Sequence, residues 1–284
     1  MRAALVAVVA LGCRLPLQPP ARVFPEPVVE RVLLESVEGR PVVMRTYPGE
    51  SEEVVLVIAG VHGSERSGIE LCEAVERRMS GMQSRPHTTV VVPVLFPDLA
   101  AAGLREDPQS PTNRNFPPPG QGPQEGEGGE LLDAMGRRVL PANVVLMELM
   151  AAYKPDRVLS LHATWRQPAA GIFADAGPMA PRTTQASALA LRMAQWLADR
   201  GQQELVVGNA LDGTPHASWS GSITGGVSLG GWGPVAIEKD GPWDRPDAMV
   251  LTVELPGYAG AAGDPERQAL FEHMAAAIVE VGLR

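Results

Sequence analysis

The stretch GVHGSE, residues 60–65, sets a histidine and, three residues later, a glutamate at the end of the apolar run VVLVIA. Polar groups at a buried strand end are costly unless they find partners. Either His62 and Glu65 are tied into a local hydrogen-bond network, or they converge on something, most simply a metal ion. Two further apolar runs end the same way: RVLSL leads into His162, and VLTV into Glu254. Two imidazoles and one carboxylate form a common ligand set for catalytic zinc, which keeps its fourth position for water. A second carboxylate that stays off the metal can take the proton from that water. Singly, each residue has a plainer reading. His162 fits a satisfied core histidine, Glu254 a salt-bridge partner, and H-x-x-E a chance pairing in a glutamate-rich chain.

These side chains can meet only if the runs bearing them are neighbouring strands. Residues 54–59, 89–95, 157–163 and 248–256 are Val/Leu-rich, the pattern of strands buried on both faces. Residues 28–36 and 41–47 flank an E-G-R turn and predict a hairpin. Apolar spacing predicts helices over 66–79, around 142–153, over 184–201 and over 264–282, with one more strand near 204–207. Alternation of this kind predicts a three-layer α/β/α sandwich with a mixed, largely parallel central sheet, whose polar groups gather at the strands' carboxyl ends. Residues 97–129 are rich in Pro and Gly and read as a loop of a length that is usually functional or disordered, its QGPQEGEGGE half a solvated excursion, and residues 211–233 read as a second, Gly-rich loop. Cys72 falls on the apolar face of the first helix and reads as core.

The first loop contains LREDPQSPTNRNFPPPG. Asn113 and Arg114 suit a carboxylate, the guanidinium offering a bidentate fork and the amide another donor. Arg105, eight residues before Asn113, is a second cation on the same loop.

H-G-S-E, N-R-N-F-P, S-L-H and T-V-E-L-P, in that order over residues 62–256, resemble the zinc carboxypeptidase family, the carboxypeptidase A-like metallopeptidases. The resemblance implies one Zn2+ held by His62, Glu65 and His162. It makes Glu254 the general base that activates water and later protonates the leaving amine. Asn113 and Arg114 would bind a substrate's terminal carboxylate, and Arg105 would polarise the scissile carbonyl. Two departures stand out. Bacterial members usually read G-V-D-L before N-R-N where this chain has Q-S-P-T, which removes an Asp able to support the loop or a ligand histidine. No tyrosine lies in the 211–247 loop to cap substrate, and Trp219 and Trp232 are the apolar substitutes. Tyr258 reads equally as a packing residue.

VSLGGWG followed by TVELP is similar to the murein peptide amidases, which cleave γ-D-glutamyl–diaminopimelate bonds. The implied activity is hydrolysis of a C-terminal peptide or isopeptide amide, with a peptide or muropeptide carrying a free carboxylate as partner. Two alternatives are an N-acyl amino acid deacylase of the succinylglutamate desuccinylase/aspartoacylase type, which shares the H-x-x-E start, and a catalytically inactive, envelope-anchored binding module. Asp240, Asp244 and Asp247 lie in a loop suited to a specificity pocket. His87, His216 and His273 read as solvated.

Apolar residues make up 45% and charged residues 20% of the 284, the proportions of a folded domain. A net charge of −9 without a basic run excludes a nucleic-acid partner. Residues 1–27 read as an export signal of about nine apolar residues, too short to span a bilayer, followed by a Pro-rich linker. Its A-L-G-C ending resembles a lipobox, with Cys13 as the lipid anchor and only membrane contact, and implies the periplasm or cell envelope; the alternatives are a misassigned start and a cytoplasmic protein. Residues 28–284 are then one catalytic domain.

Overall fold

The computed structural model describes residues 28–164, 171–175, 181–202, 225–238, 241–257, 260 and 262–284. The expected export segment with Cys13, the strand near 204–207, His216, Trp219, Asp240 and Tyr258 lie outside these residues.

Nine strands occur among the described residues: β1 Val29–Glu35, β2 Pro41–Tyr47, β3 Val54–Ile58, β4 Thr88–Val92, β5 Gln124–Glu125, β6 Leu131–Leu132, β7 Arg157–Thr164, β8 Gly171–Ala174 and β9 Met249–Pro256. Seven form one sheet in the order β1-β2-β4-β3-β7-β9-β8, while β5 and β6 pair separately. The four central strands β4, β3, β7 and β9 run parallel, and β2 and β8 flank them antiparallel. β4 stops at Val92, short of the expected 95, because Pro93 has no N–H for the ladder.

The helices α1 Arg66–Ser80, α4 Thr183–Ala198 and α6 Pro265–Ala277 cover one face of the sheet. Their core includes Leu71, Val75, Leu189, Met193 and Met274 against Val55, Val57, Leu159 and Leu251. On the other face, α3 Pro141–Tyr153 packs over Leu56, Ile58, Val158 and Val250. Proline at its first position starts α3, and Lys154, left-handed at φ 45°, ends it before Pro155. Leu146, Met147, Leu149 and Met150 are completely buried, each contributing about 2 kcal/mol of apolar burial. Two short helices, α2 Pro97–Ala102 and α5 Leu229–Trp232, lie within segments expected to be loop. Cys72 is buried in the core, as expected. Among the described residues no helix is long and apolar enough to cross a membrane.

Candidate metal centre and active site

Side chains alternate across a strand. With Leu159 and Leu161 turned to the α1 face, Ser160 and His162 turn to the other; Thr252 and Glu254 do the same beside Leu251 and Val253. β7 and β9 pair in register, so His162 stands directly opposite Glu254, and Ser160 opposite Thr252. His62 and Glu65 arrive from the turn between β3 and α1, with Glu65 at the helix's N-cap position. This turn is seated under α2. A Cβ on Gly63 would come within 2.1 Å of the Leu99 carbonyl carbon, so only glycine permits that approach.

Ligand atoms of His62, Glu65 and His162 all lie within 4.8 Å of one another, and all three residues are buried. Glu65 Oε2 lies 3.0 Å from His162 Nδ1 and accepts the Ala163 N–H at 3.1 Å. Its Oε1 is paired with the Arg105 guanidinium. Ser160 Oγ, 2.8 Å from His162 Nε2, fixes the other side of that ring. Two imidazoles and a carboxylate, converging from three elements and withheld from water, fit a divalent metal such as zinc. The pKa directions of Glu65 and His62 agree with this, and that of His162 does not. Burial alone would raise the Glu65 carboxyl, but the hydrogen bond and charge of His162, with His62 and Arg105, hold it at about 2. Burial lowers His62, keeping it neutral as a ligand must be. Burial opposes a proton on His162 too, yet Glu65 and Glu254 raise its pKa; a bound cation would reverse that direction.

Glu254 differs from Glu65. Among the described residues its Oε2 is buried with no hydrogen-bond partner. Burial pushes its pKa up to about 7, with Glu65 and Asp175 adding to the rise and His162 and Arg105 opposing it. A carboxyl titrating there, beside the candidate metal donors, is suited to moving protons at neutral pH.

The N-R-N turn, Thr112–Arg114, is held mainly by a residue that sequence reasoning missed. Asn115, completely buried, donates to Asp133 Oδ2 at 2.9 Å and accepts from the Leu140 N–H at 2.6 Å. Asn143 adds a bond to the Thr112 carbonyl. Asn113 Oδ1 accepts from the Leu229 N–H at 3.2 Å, which leaves its amide N–H groups as the part suited to a substrate carboxylate. Arg114 Nη1 donates to the Asn113 carbonyl at 2.6 Å, and burial lowers its pKa against the charges of Glu106 and Asp175. Arg105 is half-exposed and faces the ligand set through Glu65.

Two carboxylates of the site carried no sequence signal. Glu106 Oε1 lies 3.1 Å from His62 Nδ1. Asp175, buried at the end of β8, accepts from Thr252 Oγ1 at 2.7 Å and stands against Gly230 of α5.

Several expectations are corrected. Trp232 is not a substrate cover. It is buried, stacked on Phe116 at 5.7 Å, crossed by Arg245 at 4.1 Å, and its indole N–H donates to the Gln121 carbonyl. Asp244 pairs with Lys154 just before β7 begins, at the end of the strands away from the site. Asp247 lies two residues before β9 at that same end, near Arg245. Neither lines the site. His87 is not a surface residue: 12% exposed, it contacts Ser51, Arg157 and the Arg284 carbonyl.

The sequence profile of the succinylglutamate desuccinylase/aspartoacylase catalytic domain matches residues 51–198, just over half of the chain. The chain belongs to this family. The matched span carries His62, Glu65 and His162 and ends before Glu254. No protein of curated function matches in sequence. In fold, the family member is similar to carboxypeptidase A from Helicoverpa armigera, with TM-score 0.62 and 17% identity over 91% of this chain and 68% of that one. It is also similar to murein-tripeptide amidase MpaA from Escherichia coli O157, at 0.52 and 18% over 91% and 93%. A metallo-carboxypeptidase from Burkholderia cenocepacia gives 0.53 and 18% over 90% and 64%. The fold is therefore zinc carboxypeptidase-like, and the family that the chain belongs to is one of hydrolases.

Proposed function

We propose that this protein is a zinc-dependent hydrolase of C-terminal peptide or isopeptide amides, with the γ-D-glutamyl–diaminopimelate bond of muropeptides within its substrate range. One observation carries the reading: Glu254, with its near-neutral pKa and a buried oxygen that has no partner among the described residues, directly faces His162 of the three-residue donor set. His62, Glu65 and His162 would hold Zn2+. Bound there, the ion would supply Lewis acidity for the amide carbonyl and the attacking water. Glu254 accepts the proton from that water and returns it to the leaving amine. Arg105 stabilises negative charge developing on the carbonyl oxygen, and Asn113 with Arg114 grips the carboxylate of the leaving group.

The family membership favours a second reading, deacylation of N-acyl amino acids. N-succinylglutamate carries three carboxylates and no ammonium group. The negative charges of Glu106 and Asp175 act on Arg114, and Asp175 acts on Glu254. That field suits a substrate that brings an ammonium group beside its carboxylates, as diaminopimelate does.

The test is mass-spectrometric product analysis on a panel of C-terminal peptides, muropeptides and N-acyl amino acids, with and without chelator. Release of a C-terminal amino acid or diaminopimelate, abolished by chelator, is expected. Cleavage of N-acyl amino acids alone would replace this reading with the second, and chelator-resistant cleavage would remove the metal from both.

A further inference from the structure

Glu106 occupies a position that neither the donor set nor the carboxylate grip accounts for. Its Oε1 lies 3.1 Å from His62 Nδ1. Its Oε2 accepts both the backbone N–H of Thr112, at 2.7 Å, and the Thr112 hydroxyl, at 2.8 Å. The same hydroxyl oxygen stands 3.2 Å from His62 Nδ1. Since that hydroxyl donates its hydrogen to Glu106, its oxygen can only accept from the ring. Both neighbours of Nδ1 are therefore acceptors, which places the imidazole hydrogen on Nδ1 and leaves the lone pair on Nε2. Thr112 is also the first residue of the turn that presents Asn113 and Arg114. One carboxylate thus joins a candidate metal ligand to the start of the candidate substrate grip, across 50 residues of chain.

We propose that Glu106 is a positioning residue that fixes the tautomer and orientation of His62 while fastening the Thr112–Arg114 turn to it, so that metal affinity and substrate affinity depend on the same side chain. The proposal rests on His62 being a metal ligand, as in the functional reading above. Carboxylates that hold a ligating imidazole from behind typically account for 10–100-fold in metal affinity. Glutamine at this position has the right size but only one accepting oxygen. Either it serves Thr112 and turns its amide N–H toward the ring hydrogen, or it serves His62 and abandons Thr112.

The experiment is competition between the protein and a chromogenic chelator for Zn2+, using wild type, Glu106→Gln, Glu106→Ala, Thr112→Val and the double variant Glu106→Ala/Thr112→Val, with the absorption bands of the Co2+-loaded proteins recorded in parallel. The expected result is a 10–100-fold weaker Zn2+ dissociation constant in both Glu106 variants, shifted Co2+ bands, and a raised KM wherever substrate is turned over. Thr112→Val should weaken Zn2+ binding less, and its effect should not add fully to that of Glu106→Ala, because the two side chains share one network. Glu106→Gln keeps the test valid if the alanine variant fails to fold. Zn2+ affinity within about twofold of wild type, with unchanged Co2+ bands, would overturn the proposal. Metal competition needs no substrate, so a wild-type protein that binds Zn2+ but cleaves none of the amides contradicts the functional reading without deciding the role of Glu106.

Discussion

At the scale of single residues, the site separates two carboxylates by environment. Glu65 is surrounded by His162, His62 and Arg105 and is held at about 2, whereas Glu254 is desolvated and rises to about 7. The two have opposite consequences for the metal-free fold. Glu65, depressed from an ordinary value of 4.5, contributes stability that is present above that value and lost as pH falls toward 2. Glu254, raised from 4.5, costs stability that develops as pH climbs from 4.5 to 7 and stays constant beyond. Metal-free Glu254→Gln should therefore be more stable than wild type at pH 8, by about 3 kcal/mol. The difference should disappear near pH 4.5. Denaturant titrations at the two pH values check this, and an equal effect at both would contradict the assigned environment of Glu254.

At the scale of elements, the site depends on a few close approaches and one buried amide. Asn115 ties the N-R-N turn to Asp133 and to the first turn of α3. Asn115→Ala leaves those groups unpaired, and a loss of about 2 kcal/mol is expected, with KM rising more than kcat falls; thermal melts and steady-state kinetics measure both. Gly63→Ala would drive a Cβ into the α2 backbone and should cost about 1–3 kcal/mol together with metal affinity, read by melting and metal titration.

The central strands and main helices were legible because each repeats one apolar period over many residues. β8, α2 and α5 are four to six residues long, too short for a period to emerge. His62, Glu65, His162 and Glu254 stood out because each ends a buried strand or its following turn. Glu106 and Asp175 did not, since a carboxylate in a loop of a glutamate-rich chain looks like any solvated one until the fold buries it. Trp232 misled for a related reason: an aromatic in a Gly-rich segment resembles a lid, while its position over Phe116 and under Arg245 depends on contacts far away in sequence.

At the scale of the whole molecule, the donor set joins the turn after β3 to β7, so a bound cation would cross-link the middle of the sheet to α1. Ions that bind only the native state stabilise it by mass action, about 2.7 kcal/mol at a hundredfold excess over Kd. Adding Zn2+ to stripped protein should raise Tm by about 5 °C or more for a chain of this size, and chelator should return it to the metal-free value. An unchanged Tm would count against a native-state metal site. The central claim, that a metal held by His62, Glu65 and His162 works with Glu254 as the proton carrier, is tested most directly by measuring metal content and amide turnover in the same samples of wild type and Glu254→Gln. One Zn2+ per chain is expected in both, with turnover in the variant lower by about 10²–10⁴-fold. A metal-loaded Glu254→Gln that turns over at the wild-type rate would contradict it.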